Sequence, residues 1–221
     1  MDSEIVQVTT FSVMMAAIAT LVMLPPGVAL AWVLAKHTFP GQSVIEGLVS
    51  LPLVLPPVAT GLILLKLFSR RGPVGRLFDV AGVEFIFTWK AVVVAMAVMG
   101  LPLLVRAARA GFEQVDRRYE DIAATLGSGP ARIFLTISLP LASRGVLAGA
   151  VLGFSRALGE FGATVMIAGA LPSTRTLSVA IYSYTQTGQE AAAMTMLMAS
   201  MTIAFASVLV ANRLSATKRH T

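Results

Sequence analysis

Long apolar runs separated by short polar breaks dominate the chain. Segments at about 8–35, 44–68, 88–106, 140–168 and 191–212 are each almost free of charge over a length near or above the ~20 residues that a helix needs to cross a bilayer. The pattern predicts an all-α, polytopic membrane helical bundle of five spans, forming one transmembrane domain over 1–221. The fourth run is too long for a single straight span and is expected to break around Gly159–Gly162. Its continuation would be re-entrant or interfacial, which leaves room for a sixth crossing.

One polar stretch interrupts this pattern at length. From about 107 to 139 the residues Phe112, Val115, Tyr119, Ile122 and Leu126 recur at three- and four-residue steps, which places them on one face of an amphipathic helix. Gly127 fits the left-handed position that closes a helix, Ser128 fits the next N-cap, and Pro130 fits the first turn of a second short helix carrying Ile133, Phe134 and Ile137. Periodicity alone leaves two uses open for this helix-turn-helix: an apolar face resting on lipid, or a docking element.

Composition supports a bilayer setting. The chain has 221 residues, of which 56% are hydrophobic and 13% charged, and its mean hydropathy is +0.80. It contains no cysteine, which excludes disulfides, thiolate metal sites and thiol nucleophiles. The net charge of +6 does not indicate nucleic acid, because the basic residues are scattered over short loops without an aromatic-rich basic stripe. His37 and His220 are far apart in sequence and lack neighbouring carboxylates, so no metal site is expected.

The start Met1-Asp2-Ser3-Glu4 lacks the basic segment of a signal peptide, so the first apolar run is expected to be a retained span. Five spans place the termini on opposite sides. Putting the C-terminus in the cytoplasm gathers ten of the 17 Lys and Arg residues inside, among them Lys36, Arg106, Arg109, Arg117, Arg118, Arg132 and Arg144. Lys66, Arg70, Arg71, Arg76, Lys90 and Arg175 then lie outside.

The run Glu120-Asp121-Ile122-Ala123-Ala124-Thr125-Leu126-Gly127, with Ile137-Ser138-Leu139-Pro140 following ten residues after the glycine, resembles the EAA loop of ABC importer permeases. In that pattern Asp121 takes the Glu place, Ile122 and Ala123 the two Ala places, and Gly127 to Pro140 fits in full. The resemblance implies a type I ABC importer permease fold with a cytoplasmic coupling loop at 113–140, in which Glu120, Asp121, Ala123, Ala124, Leu126, Gly127, Ile137, Leu139 and Pro140 form or support the contact with an ATPase subunit.

Ser50-Leu51-Pro52-Leu53-Val54-Leu55-Pro56-Pro57, Ser69-Arg70-Arg71-Gly72-Pro73 and Ser155 through Ala163 are similar to the molybdate branch of these permeases. Gly159-Glu160-Phe161-Gly162 is shared with sulfate and thiosulfate permeases. What the resemblance implies is a homodimer in the bacterial or archaeal inner membrane, bound to two copies of a cytoplasmic ATPase that holds ATP and Mg. A periplasmic or extracellular molybdate-binding protein would deliver the substrate.

Arg156 and Glu160 lie four residues apart at membrane depth, where charge is costly, and are expected either to pair or to shape the potential along an anion route. Gly145, Gly149 and Gly153 repeat every four residues and predict close approach of another helix, within the subunit or between subunits. Pro25-Pro26, Pro52, Pro56-Pro57 and Pro102 fall inside spans and favour kinks, with Thr60 and Gly61 beside one of them.

The sequence has no Gly-Lys pair and hence no phosphate-binding loop of the Gly-x-x-x-x-Gly-Lys type, so a motor must be a separate chain. It also lacks a zinc-protease motif and a Gly-x-Ser-x-Gly elbow. Ser215 and Lys218 match Ser-x-x-Lys only in a polar tail. No catalytic residue and no cofactor is assigned to this chain. The rival readings are a sulfate or thiosulfate permease, an ion-gradient-driven carrier, which would call for internal repeats and mid-membrane carboxylates, and a membrane-anchored interaction protein.

Overall fold

The computed structural model describes residues 2–215. Lys218 and His220, singled out above, lie outside the described residues. Among the described residues, four helices are long and apolar enough to cross a membrane alone: Ser3–Lys36, Trp89–Glu113, Pro130–Leu158 and Glu190–Val210. The helices Gln42–Val54 and Pro57–Phe68 are apolar and long enough only when taken together, and they are bent by 114° at the break between them.

In chain order the helices are α1 (Asp2–Lys36), α2 (Gln42–Val54), α3 (Pro57–Phe68), α4 (Gly75–Val80), α5 (Trp89–Glu113), α6 (Arg117–Thr125), α7 (Pro130–Ile133), a π-helical turn (Phe134–Ser138), α8 (Leu139–Leu158), α9 (Gly162–Ala168), α10 (Leu177–Gln186) and α11 (Glu190–Ser215). At 7 and 10 residues, α9 and α10 are each too short to span.

The core is a three-helix stack of α1, α5 and α8. On α1, Ser12, Met15, Ala16, Ala19, Met23, Ala31 and Leu34 are buried at three- and four-residue steps, while Leu21 and Val22 face outward. Lipid is as apolar as leucine, so burying apolar area does not by itself bring spans together. Close packing of small side chains does. Two polar contacts fix α10 against α1: Ser12 Oγ accepts the Leu177 amide at 2.7 Å, and Arg175 pairs with Glu4 at 3.1 Å.

The bend between α2 and α3 has a direct cause. Leu55 and Pro56 are extended (ψ 143° and 133°), and Pro57, without an amide hydrogen, starts α3. The other span prolines do not break their helices: α1 runs on through Pro25-Pro26, α2 through Pro52 and α5 through Pro102. At one end of the bundle, Phe68, Phe78 and Phe85 stack at centroid distances of 4.3–6.2 Å and seat α4. At the other end, Arg109 binds Glu46 and Glu113, both at 2.7 Å, and ties α2 to α5.

Candidate functional site

At the Arg109 end of the bundle lies α6. Its start is capped by the Asp116 carboxylate, which accepts the Arg118 amide at 2.9 Å. Its end is a Schellman closure. Gly127 takes φ 82°, its amide donates to the Ala124 carbonyl at 3.0 Å, and the Ser128 amide donates to the Ala123 carbonyl at 3.0 Å. Ser128 is thus spent on closing α6, and Gly129, not Ser128, precedes α7. No separate second helix follows either. α7, the π turn and α8 run on as one 29-residue helix from Pro130 to Leu158, so the fourth span begins ten residues earlier than its apolar run. Leu139 donates to the Phe134 carbonyl, five residues back. The wider turn falls just before Pro140, whose missing amide would in any case interrupt the α-helical ladder.

The apolar face expected over 112–126 divides in two. Phe112 (0% exposed) and Val115 (7%) enter the core, whereas Tyr119 (58%), Ile122 (58%) and Leu126 (80%) project outward, together with Leu135 on the continuous helix. Asp121, Ala124 and Gly127 are also exposed, Ala123, Ile137 and Leu139 are half-buried, and Pro140 is exposed. Glu120 departs from this outward-facing set. Its Oε1 accepts from Ser138 Oγ at 2.6 Å, and its Oε2 lies 3.3 Å from the Lys36 ammonium at the end of α1. Lys36 and Ser138 carry no local signal that pairs them with Glu120; only the folded chain brings the three together.

At the second break, Glu160 is 1% exposed and fully engaged. Its Oε2 is 2.8 Å from Arg156 Nη1, and its Oε1 accepts the Ala163 amide at 2.8 Å, capping the first turn of α9. The pair therefore closes α8 and opens α9 at one point. Beside it the two broken spans meet. A Cβ on Gly61 would lie 2.7 Å from the Ala163 Cα, and one on Gly162 would lie 2.9 Å from the Pro57 Cβ. Thr60 and Thr164, one on each of these helices, are buried with hydroxyls that have no hydrogen-bond partner among the described residues.

The glycine face of α8 packs inside the subunit, on α5. Gly145 meets Gly111, Gly149 meets Leu104 and Ala107, and Gly153 meets the Gly100 carbonyl and Met23. Among the described residues no group of three His, Asp or Glu side chains could hold a metal ion.

The profile of the family described as "Binding-protein-dependent transport system inner membrane component" matches residues 27–219. The chain is 43% identical over 216 residues to the molybdenum transport system permease protein ModB of Escherichia coli strain K12, covering 96% of this chain and 94% of that protein. It is 47% identical over 166 residues to the ModB protein of Haemophilus influenzae, covering 74% of this chain and 72% of that one. Among solved structures, the bacterial alginate ABC transporter in complex with an alginate pentasaccharide-bound periplasmic protein superposes with a TM-score of 0.72 at 15% identity, over 95% of this chain and 77% of that chain. That likeness concerns the fold. Taken with the profile match and the two near-full-length relatives, the chain belongs to the family of binding-protein-dependent transport system inner membrane components, in its branch of molybdenum transport permeases.

Proposed function

We propose that this chain is the permease subunit of an ABC importer that carries molybdate inward across the cell membrane, driven by a separate ATPase. The observation that supports this most strongly is the outward face of α6: a capped helix at one end of the bundle presents Tyr119, Ile122 and Leu126 outward, within a stretch that resembles the EAA loop. In this reading the 113–140 segment docks on a cytoplasmic ATPase, one per permease copy, and two copies of this chain form a homodimer. ATP and Mg bind on the ATPase. The permease contributes no cofactor and no catalysis, and only the assembled complex is a translocase. The α6 end and the C-terminus lie in the cytoplasm, while the α4 end receives a molybdate-binding protein. The names of the relatives support molybdate over sulfate as the cargo.

Arg156 and Glu160 serve first as a structural pair that joins α8 to α9. A second role for Arg156, shaping the potential along the anion path, is tested by Arg156→Gln: unchanged transport in a variant that still folds and docks its ATPase would remove it. A weak path suits a permease that must release its cargo, with affinity residing in the binding protein.

The reading is tested by reconstituting the chain with its ATPase in lipid and measuring hydrolysis with binding protein supplied empty, molybdate-loaded or sulfate-loaded. Stimulation by the molybdate-loaded protein is expected. Stimulation by the sulfate-loaded form alone would overturn the cargo, and failure of any ATPase to associate would overturn the importer.

A further inference from the structure

The two faces of α6 have different fates, and the inward one makes a contact that ATPase docking does not require. Lys36, the last residue of α1, donates to the Val115 carbonyl at 2.7 Å and pairs with Glu120 Oε2 at 3.3 Å. Glu120 Oε1 accepts from Ser138 Oγ at 2.6 Å, and Ser138 is completely buried. One ammonium and one carboxylate thereby join three separate pieces of chain: the end of α1, α6 with the residues just before it, and the π turn.

Lys36 and Glu120 are only 9% and 15% exposed. An ion pair so screened from water is far stiffer than a surface pair, and removing either partner leaves the other desolvated and uncompensated. One turn earlier on α1, Trp32 packs edge-on against Phe134, the first residue of the π turn, with ring centroids 5.2 Å apart, and Phe134 in turn stacks on Phe112 at 6.1 Å. The clasp thus closes over an aromatic seam that runs from α1 through the π turn to α5.

The covalent chain already links α6 to α5 before it and to α7 and α8 after it. It gives α6 no short link to α1. We infer that Lys36 and Glu120 are positioning residues for energy coupling: they lock α6 to α1, so that a displacement of α6 moves the first span together with α5 and α8. Ser138 orients the carboxylate and ties the same joint to the π turn, a helical irregularity able to take up a small shift in register. The inference rests on the reading of α6 as the ATPase-docking helix and adds to it a mechanical route through the α1 end.

The test separates docking from transmission. The reconstituted complex of this chain with its ATPase is compared for wild type, Lys36→Met, Glu120→Gln and Lys36→Arg. Three quantities are measured: ATPase retained on purification, basal hydrolysis, and the ratio of hydrolysis with loaded to empty binding protein. Lys36→Met, outside the docking segment, is expected to retain the ATPase and basal hydrolysis, and for Glu120→Gln, inside it, the ratio is taken per ATPase retained. Their stimulation ratio should fall by about tenfold, within the usual range of coupling between sites, and Lys36→Arg should restore most of it. Glu120→Gln keeps an oxygen for Ser138, so it folds even where Lys36→Met does not. An unchanged ratio in Glu120→Gln would overturn the inference. So would loss of the ATPase from Lys36→Met in step with its hydrolysis, because the clasp would then only build the docking surface. If wild type itself holds no ATPase, the docking reading fails first.

Discussion

Gly145 of α8 faces Gly111 of α5 so closely that a Cβ on Gly145 would stand 2.6 Å from the Gly111 Cα. Backbone, and not a movable side chain, blocks the space, so Gly145→Ala must push two spans apart. The expected cost is about 1–3 kcal/mol, the usual penalty of overpacking a tight core, measured as a lower unfolding midpoint in detergent. Gly47→Ala on α2 is the matched control: nothing lies within 4 Å of its Cβ position, and the midpoint should hold or rise.

Gly127 presents the opposite case. Its Cβ position is open, yet its φ of 82° lies in the left-handed region. Gly127→Ala should cost about 1–2 kcal/mol of backbone strain, confined to the end of α6. Hydrogen exchange should accelerate over 117–128 while α5 and α8 keep their protection, and ATPase retention should fall.

The α6 face can be separated from the fold by charge. Ile122 and Leu126 are both exposed and hold no other element in place, so Ile122→Glu and Leu126→Glu should shift the unfolding midpoint little. Both should strongly weaken ATPase co-purification, because a carboxylate would be buried against an apolar groove. Normal ATPase retention in both variants would show that this face is not the docking surface.

Arg156 and Glu160 should behave as one unit. Arg156→Met leaves a carboxylate that is 1% exposed without its cation, at a cost of about 3–5 kcal/mol for a broken buried pair. The double change Arg156→Met with Glu160→Gln should be milder than Arg156→Met alone, since the amide oxygen still caps Ala163 and no charge is stranded. Additive costs in a double-mutant cycle would contradict the pairing.

Much of the architecture could be read from residue type. Four of the five apolar runs fall on helices long enough to cross and the second on the bent pair α2 and α3, Gly127 marks the closure of α6 because glycine suits that φ, and the glycine repeat on α8 marks a close crossing. Which face of α1 turns inward could not be read, because core-facing Met15 and Ala16 and outward-facing Leu21 and Val22 are all apolar in a protein surrounded by lipid. The merging of the loop's second half into α8 was hidden as well. Ser128 and Pro130 carry a valid helix-start signal, but it opens a helix that continues through a π turn into the span. The five-residue periodic stripe over 112–126 was real as a pattern, but it spans two helices: Phe112 belongs to α5, Val115 to the connection, and Tyr119, Ile122 and Leu126 follow the Asp116 cap of α6. The Lys36 to Glu120 contact is long-range, and a single sequence holds no local trace of such a meeting.

Molybdate import by this chain, working with an ATPase and a binding protein, can be read out in vesicles. Its most direct test is uptake: proteoliposomes containing the permease and its ATPase, with ATP inside and molybdate-loaded binding protein outside, are collected and their trapped molybdenum is measured. Accumulation is expected to require ATP and binding protein and to be abolished by Leu126→Glu. Accumulation independent of ATP, or retention of sulfate but not molybdate under the same conditions, would contradict it.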